Sequence, residues 1–141
     1  MKIRTCEEIY ENEILKNKEK LEIFREMLLE YNQKYNLTTI LEEKDMFYKH
    51  FLDSVAGEEL FINNGKIAEI GSGAGFPSIP LKILRGDLSF DLFESVGKKC
   101  EFLRAVVDKL GFSKALTLPF FIILSVFIII SLGKQKLIKE Y

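Results

Sequence analysis

A short apolar strand that runs straight into a glycine loop governs what this chain can become. Residues 66–76 read KIAEIGSGAGF. Ile67 to Ile70 form the apolar strand, interrupted by one acid at Glu69. Gly71, Gly73 and Gly75 follow at alternate positions. Such a loop lets a ligand approach bare backbone, because no Cβ stands in the way. Its amides can face a carboxylate or phosphate where the next helix begins with its positive dipole end. The segment therefore predicts a strand–loop–helix unit that holds a small-molecule cofactor.

The flanking sequence supplies the elements around that unit. Residues 8–35 read as helix, with Leu21, Phe24, Leu28, Tyr31 and Tyr35 making one apolar stripe at three- and four-residue steps. Asn36 to Thr39 is a polar break, and Asp45 to Ala56 is a second amphipathic helix with Asp45 as its N-cap. Asn63, Asn64 and Gly65 make a turn before the strand. After the loop, Pro77 to Leu84 reads as a short helix with its prolines in the first turn. A turn at Gly86 and Asp87 leads to a second strand, Phe90 to Glu94. Lys98 to Leu110 forms a helix with Phe102, Leu103, Val106, Val107 and Leu110 on one face, and Gly111 is placed to end it. This order predicts a right-handed crossover and a parallel sheet.

Spacing bears on the cofactor. Glu94 lies 19 residues beyond Gly75, at the end of the second strand, where a carboxylate meets a ribose diol. Dinucleotide sites want glycine as the last element of GxGxxG, and Phe76 stands there. S-adenosylmethionine carries an amino-acid carboxylate, a sulfonium and an adenosine but no phosphate. A GxGxG loop preceded by an acid suits it better.

Three ordered segments carry a specific resemblance. EIGSGAGFPSIPLKI (69–83), YNLTTILEEKDMFYKHFLDS (35–54) and FESVGKKCEFLRAVVDKLG (93–111) resemble the small-subunit rRNA guanine-N7 methyltransferase family, also known as glucose-inhibited division protein B. The likeness covers the first four-fifths of the chain. It implies a Rossmann-like α/β methyltransferase fold with helices ahead of it, S-adenosylmethionine as cofactor and 16S ribosomal RNA as partner, while two scattered cysteines and a start too charged for a secretory signal fit a reducing cytoplasm. By the same resemblance Gly71 and Phe76 contact the cofactor. Gly73 and Gly75 shape the loop, Glu69 supports it, and Glu94 sits at the ribose. The family's adenine-flanking pair after the third strand, and an arginine beyond it, have no counterpart here.

Other groups are weaker candidates. No catalytic residue is assigned, since guanine N7 has a free lone pair and needs no general base. His50, the only histidine, is expected to order the N-terminal helices or to meet RNA phosphate. Lys98, Lys99 and Arg104 read as a solvated helix face. Cys6 and Cys100 lack metal-ligand spacing, and no metal site is expected. The formal net charge of -1 gives no global support for nucleic-acid binding, so any RNA contact is a local patch.

The texture changes after Ala115. Leu116 to Leu132, LTLPFFIILSVFIIISL, holds no charge over 17 residues, and a basic tail with Lys134, Lys136 and Lys139 follows. Either it is a minimal membrane span with a cytoplasmic C-terminus, or it is the product of a reading-frame shift near residue 116. The frame shift is the favoured reading. The chain thus divides into an N-terminal helical segment (1–65), a partial cofactor-binding domain (66–115) and an aberrant apolar segment with its tail (116–141). A full methyltransferase sheet does not fit, and activity is expected to be lost or impaired. A non-catalytic nucleotide- or S-adenosylmethionine-binding domain, or a membrane-tethered protein anchored by residues 116–132, are the other readings.

Overall fold

The computed structural model describes Thr5, Glu8 and residues 10–39, 42–112 and 115–119. A π-helical turn, Tyr10–Ile14, and a 3-10 turn, Leu15–Asn17, lead into helix α1, Lys18–Tyr35. Leu21, Phe24 and Leu28 of the predicted stripe are buried, and Tyr31 and Tyr35 are half-buried at its end. The helix stops at Asn36, whose left-handed φ of 48° turns the chain away. Asn tolerates that conformation because its short polar side chain bonds locally. Asn32, buried in the last turn, accepts the Thr38 amide at 2.8 Å and so fixes the break that follows.

The second helix, α2, spans residues 43–55. It is α-helical over Glu43–Met46, π-helical over Phe47–Leu52 and α-helical again over Asp53–Val55. Asp45 is not its N-cap. The helix starts earlier, with the Met46 amide bonded to Glu42 O at 2.8 Å. Asp45 instead pairs with Lys49 one turn on, at 2.8 Å. An acid in the first turn meets the helix dipole almost as well as a cap does, and composition alone does not separate the two.

Strand β1, Lys66–Ile70, is followed by helix α3, Ser78–Leu84, strand β2, Ser89–Glu94, helix α4, Gly97–Lys109, and strand β3, Ala115–Pro119. The three strands form one parallel sheet in the order β1-β2-β3. Gly111, at φ +67°, ends α4 as expected, and the Phe112 amide reaches back to Val107 O at 3.0 Å. The expected apolar span loses its first four residues, 116–119, to β3. Residues 120–132 lie outside the described residues. Among the described residues no helix is long and apolar enough to cross a membrane.

Because β1, β2 and β3 advance in one direction, both crossover helices fall on one face of the sheet. Phe90, Leu92 and Glu94 of β2 are buried on that face, as is Thr117 of β3. Phe102, Leu103, Val106, Ile79 and Ile83 pack there, and α1 covers both helices through Phe24 and Leu28. One apolar cluster therefore runs from α1 into the α/β unit. The opposite face carries Lys66, Ala68 and Ile70, all exposed, with Ile70 70% exposed.

Arg85 locks the segment before β1 to the turn before β2. Its guanidinium donates to both Asp87 oxygens, at 2.8 and 2.9 Å, to Glu58 O at 3.0 Å and to the Glu58 carboxylate at 3.2 Å. Asp87 also accepts the Asn64 amide, and Arg85 with these bonds holds its carboxyl far below the usual range.

Candidate functional site

The glycine loop leaves the C-terminal end of β1 and is laced to the end of β2. Gly71 and Ser72 both donate their amides to Phe93 O, at 2.7 and 3.2 Å. Gly75 closes a turn on Ser72 O at 2.8 Å, and Ile79 opens α3 by bonding Gly75 O at 2.8 Å. Gly71 has φ +77°, and a Cβ built there would meet nothing within 4 Å. Its outward side is bare backbone facing open space.

Gly75 has the opposite surroundings. At φ +87°, a Cβ would lie 2.6 Å from Ile79 Cγ1 and 3.1 Å from Leu103 Cδ2. Gly75, one residue ahead of Phe76, is thus the glycine that lets the two crossover helices close over the loop.

The two acids of the site are held differently. Glu69 is half-buried on the helix-covered face, and its carboxylate accepts the Ser78 hydroxyl at the start of α3. Burial pushes its carboxyl up, and hydrogen bonds from Ser78 and Ser72 offset part of that. Glu94 is only 5% exposed. Its Oε2 accepts the Gly73 amide at 2.8 Å, and its Oε1 accepts the Val96 amide at 2.9 Å. Burial alone would raise it. The amides of Val96 and Gly73, with Ser95 and the charge of Lys99, outweigh burial and hold it below the usual glutamate range. Glu94 is therefore a bridge between the loop after β1 and the turn after β2. That role was not visible in its position 19 residues beyond Gly75, because it depends on the two loops closing against each other.

Phe76 ends the loop. Its ring stacks on His50 of α2 with centroids 4.1 Å apart and planes at 11°. Phe24 and Phe51 approach it at 5.2 and 6.1 Å. His50 Nε2 lies 3.5 Å from Thr38 Oγ1. Burial pushes the His50 pKa down, with Asp53 acting against it. An open cavity of about 340 Å³ borders this stack, lined among others by Lys49, Asp53, Phe61 and Pro77.

Gly71, Gly73, Gly75, Phe76, Glu69 and Glu94 thus come together at one end of the sheet. Sequence reasoning missed Ser78, Asn32 and the His50–Phe76 stack. Nothing in the spacing of Ser78 from Glu69 announces their bond, and only the packing of α2 brings an imidazole to the loop. Among the described residues no cluster of three or more His, Cys, Asp or Glu side chains could hold a metal ion.

The profile of a family described as rRNA small subunit methyltransferase G, or GidB, matches residues 17–118. The chain belongs to this family. It is 50% identical over 101 residues to the ribosomal RNA small subunit methyltransferase G of Mycoplasma capricolum, covering 71% of this chain and 43% of that protein. The Mycoplasma mycoides protein of the same name is 49% identical over 100 residues, which make up 70% of this chain and 72% of that protein. The Desulfitobacterium hafniense protein is 42% identical over 99 residues, 70% of this chain and 41% of its own length. The match takes in less than half of the M. capricolum and D. hafniense proteins. The GidB match ends at residue 118, two residues past the change of texture at 116. The parallel sheet with its crossover helices is the α/β fold expected of a methyltransferase of this family.

Proposed function

We propose that this chain carries the cofactor-loop part of an S-adenosylmethionine-dependent methyltransferase acting on guanine N7 of 16S ribosomal RNA in the cytoplasm. The observation that carries it is Gly71: a positive-φ glycine at the C-terminal end of β1, with open space where a side chain would stand. Ligands of open α/β sheets bind outside the carboxyl ends of the strands, at the point where strand order reverses. The residues present fit the cofactor's amino-acid end. Gly71 would receive it, Gly73 and Gly75 would shape the loop beneath it, Glu69 would support the loop through Ser78, and Phe76 would flank it. Glu94 would reach the ribose through the lone pairs left free by Gly73 and Val96. When bound, the cofactor supplies an activated methyl group. Guanine N7 has no proton to remove, so the chain's own contribution is positioning.

Among the described residues the site has one wall. In doubly wound sheets the first strand is central, and the crevice is completed by a strand on its other side. Among the described residues β1 pairs with β2 alone. On this reading the described residues alone would bind cofactor weakly and would not methylate RNA, and the relatives' further length would supply the missing wall. The coincidence of the composition change and the end of the GidB match favours a reading-frame change near residue 116. On this reading residues 1–65, 66–115 and 116–141 are the helical, cofactor-binding and aberrant parts.

Titration calorimetry with S-adenosylmethionine tests the site. The parent should give saturable heat, and Gly71→Val should give none, since valine neither holds φ +77° nor leaves the ligand's space free. Gly71→Asn, which tolerates positive φ, should fold and still bind more weakly. If Gly71→Asn folds and binds like the parent, Gly71 is not at the cofactor. Sequencing the gene and translating all three frames past residue 116 tests the frame change. No strand–helix pattern in any frame would remove it.

A further inference from the structure

The strand–loop–helix unit does not hold Phe76 by itself. The loop's hydrogen bonds end at Gly75, and Phe76 is gripped by rings from the N-terminal helices. We propose that His50 is a positioning residue for the glycine loop, holding Phe76 so that the loop keeps the shape its ligand needs. The near-parallel rings at 4.1 Å form a flat stack, and Phe24 approaches the same ring at 5.2 Å. His50 is itself oriented from α1. Asn32 fixes the Thr38 amide at 2.8 Å, and Thr38 Oγ1 lies 3.5 Å from the imidazole Nε2. A chain of contacts thus runs from the end of α1 through Thr38, His50 and Phe76 to Gly75.

A cavity of about 340 Å³ borders the stack, so one side of the imidazole is open and its placement rests on the contacts with Thr38 and Phe76. The N-terminal helices are then part of the binding apparatus, although they carry no glycine loop. This inference rests on the reading of the loop as a cofactor site, and two measurements separate the failure of one from the failure of the other.

The first is S-adenosylmethionine titration of the full chain. His50→Ala should weaken binding by about tenfold, the loss expected for one aromatic pair. His50→Phe, which keeps a flat ring, should return affinity to within about threefold of the parent. Leu88→Ala, a fully buried change just before β2 at the end of the sheet away from the loop, should lower the melting temperature and leave affinity unchanged. Parent affinity in His50→Ala, no recovery in His50→Phe, or an equal loss in Leu88→Ala would each overturn the proposal.

The second is NMR of the imidazole, unambiguous because the chain has one histidine. Its ring protons should be shifted upfield by Phe76 and return toward ordinary values in Phe76→Leu. His50→Ala should move the Gly73 and Gly75 amides. If the parent binds no cofactor, these shifts still support the positioning role, while their absence overturns it.

Discussion

Glu94 shows how much of this site is decided atom by atom. Each carboxylate oxygen takes a backbone amide, one from each loop at the end of the sheet. Its folded pKa lies below the usual value of 4.5. Its contribution to stability is therefore complete at pH above that value and is lost as pH falls through the folded pKa. Glu94→Gln should accordingly flatten part of the acid-unfolding curve below about pH 4.5, measured by circular dichroism. Charge-assisted bonds are worth about 1.5 to 3 kcal/mol each, so Glu94→Ala should weaken S-adenosylmethionine binding by at least about tenfold. An unchanged titration would leave Glu94 as a loop bridge only. Gly75→Ala has a separate cause. Its Cβ would press into Ile79 and Leu103, so the variant should lose about 1 to 3 kcal/mol in urea unfolding. That the three glycines, Glu69 and Phe76 gather at one end of the sheet was legible, because a strand and the loop leaving it are contiguous in sequence. Which glycine opens to free space and which faces the helices was not, because that depends on where α3 and α4 land.

Among the elements, α1 joins the two halves of the molecule. Phe24 is fully buried and lies 5.2 Å from Phe76, 6.1 Å from Phe51 and 6.2 Å from Phe102, which belong to the loop, α2 and α4. Phe24→Ala should cost about 3 to 5 kcal/mol and loosen the loop along with the helix. Amide exchange should report both, with the Gly73 and Gly75 amides losing protection beside those of α1. Protection lost in α1 alone would show that the loop stands independently. Most elements were legible, since the stripe from Leu21 to Tyr35 and the face from Phe102 to Leu110 carry clear periodicity. The third strand, Ala115–Pro119, opens the uncharged run, where a buried strand and the start of an apolar helix look alike in sequence. The π-helical stretch at Phe47–Leu52 leaves no mark in composition, yet it lies where His50 and Phe51 meet Phe76.

At the level of the whole molecule, one face of the sheet is covered and the other is bare among the described residues. The bare face begins with an ion pair, Lys66 to Asp91 at 2.9 Å, and continues through Ala68 to the exposed Ile70 at the C-terminal end of β1. An open strand edge beside exposed apolar side chains favours association. The chain as written should therefore elute above monomer size or prove insoluble, and should not methylate ribosomal RNA. A chimaera that joins residues 1–115 to the remaining length of the M. capricolum relative should recover monomeric behaviour and activity together. A soluble, monomeric, fully active parent would defeat this account.

The one-directional order β1-β2-β3 also has a consequence in time. Each strand leaving the ribosome adds on the side away from β1, so the first strand made is among the last to be enclosed. Synthesis of a full-length relative would pass through a stage with this outline, its glycine loop already laced and one flank still exposed. Chaperones bind such flanks while they last. Any chain held at that stage would have its lifetime in the cell set by chaperone and protease rather than by its own core.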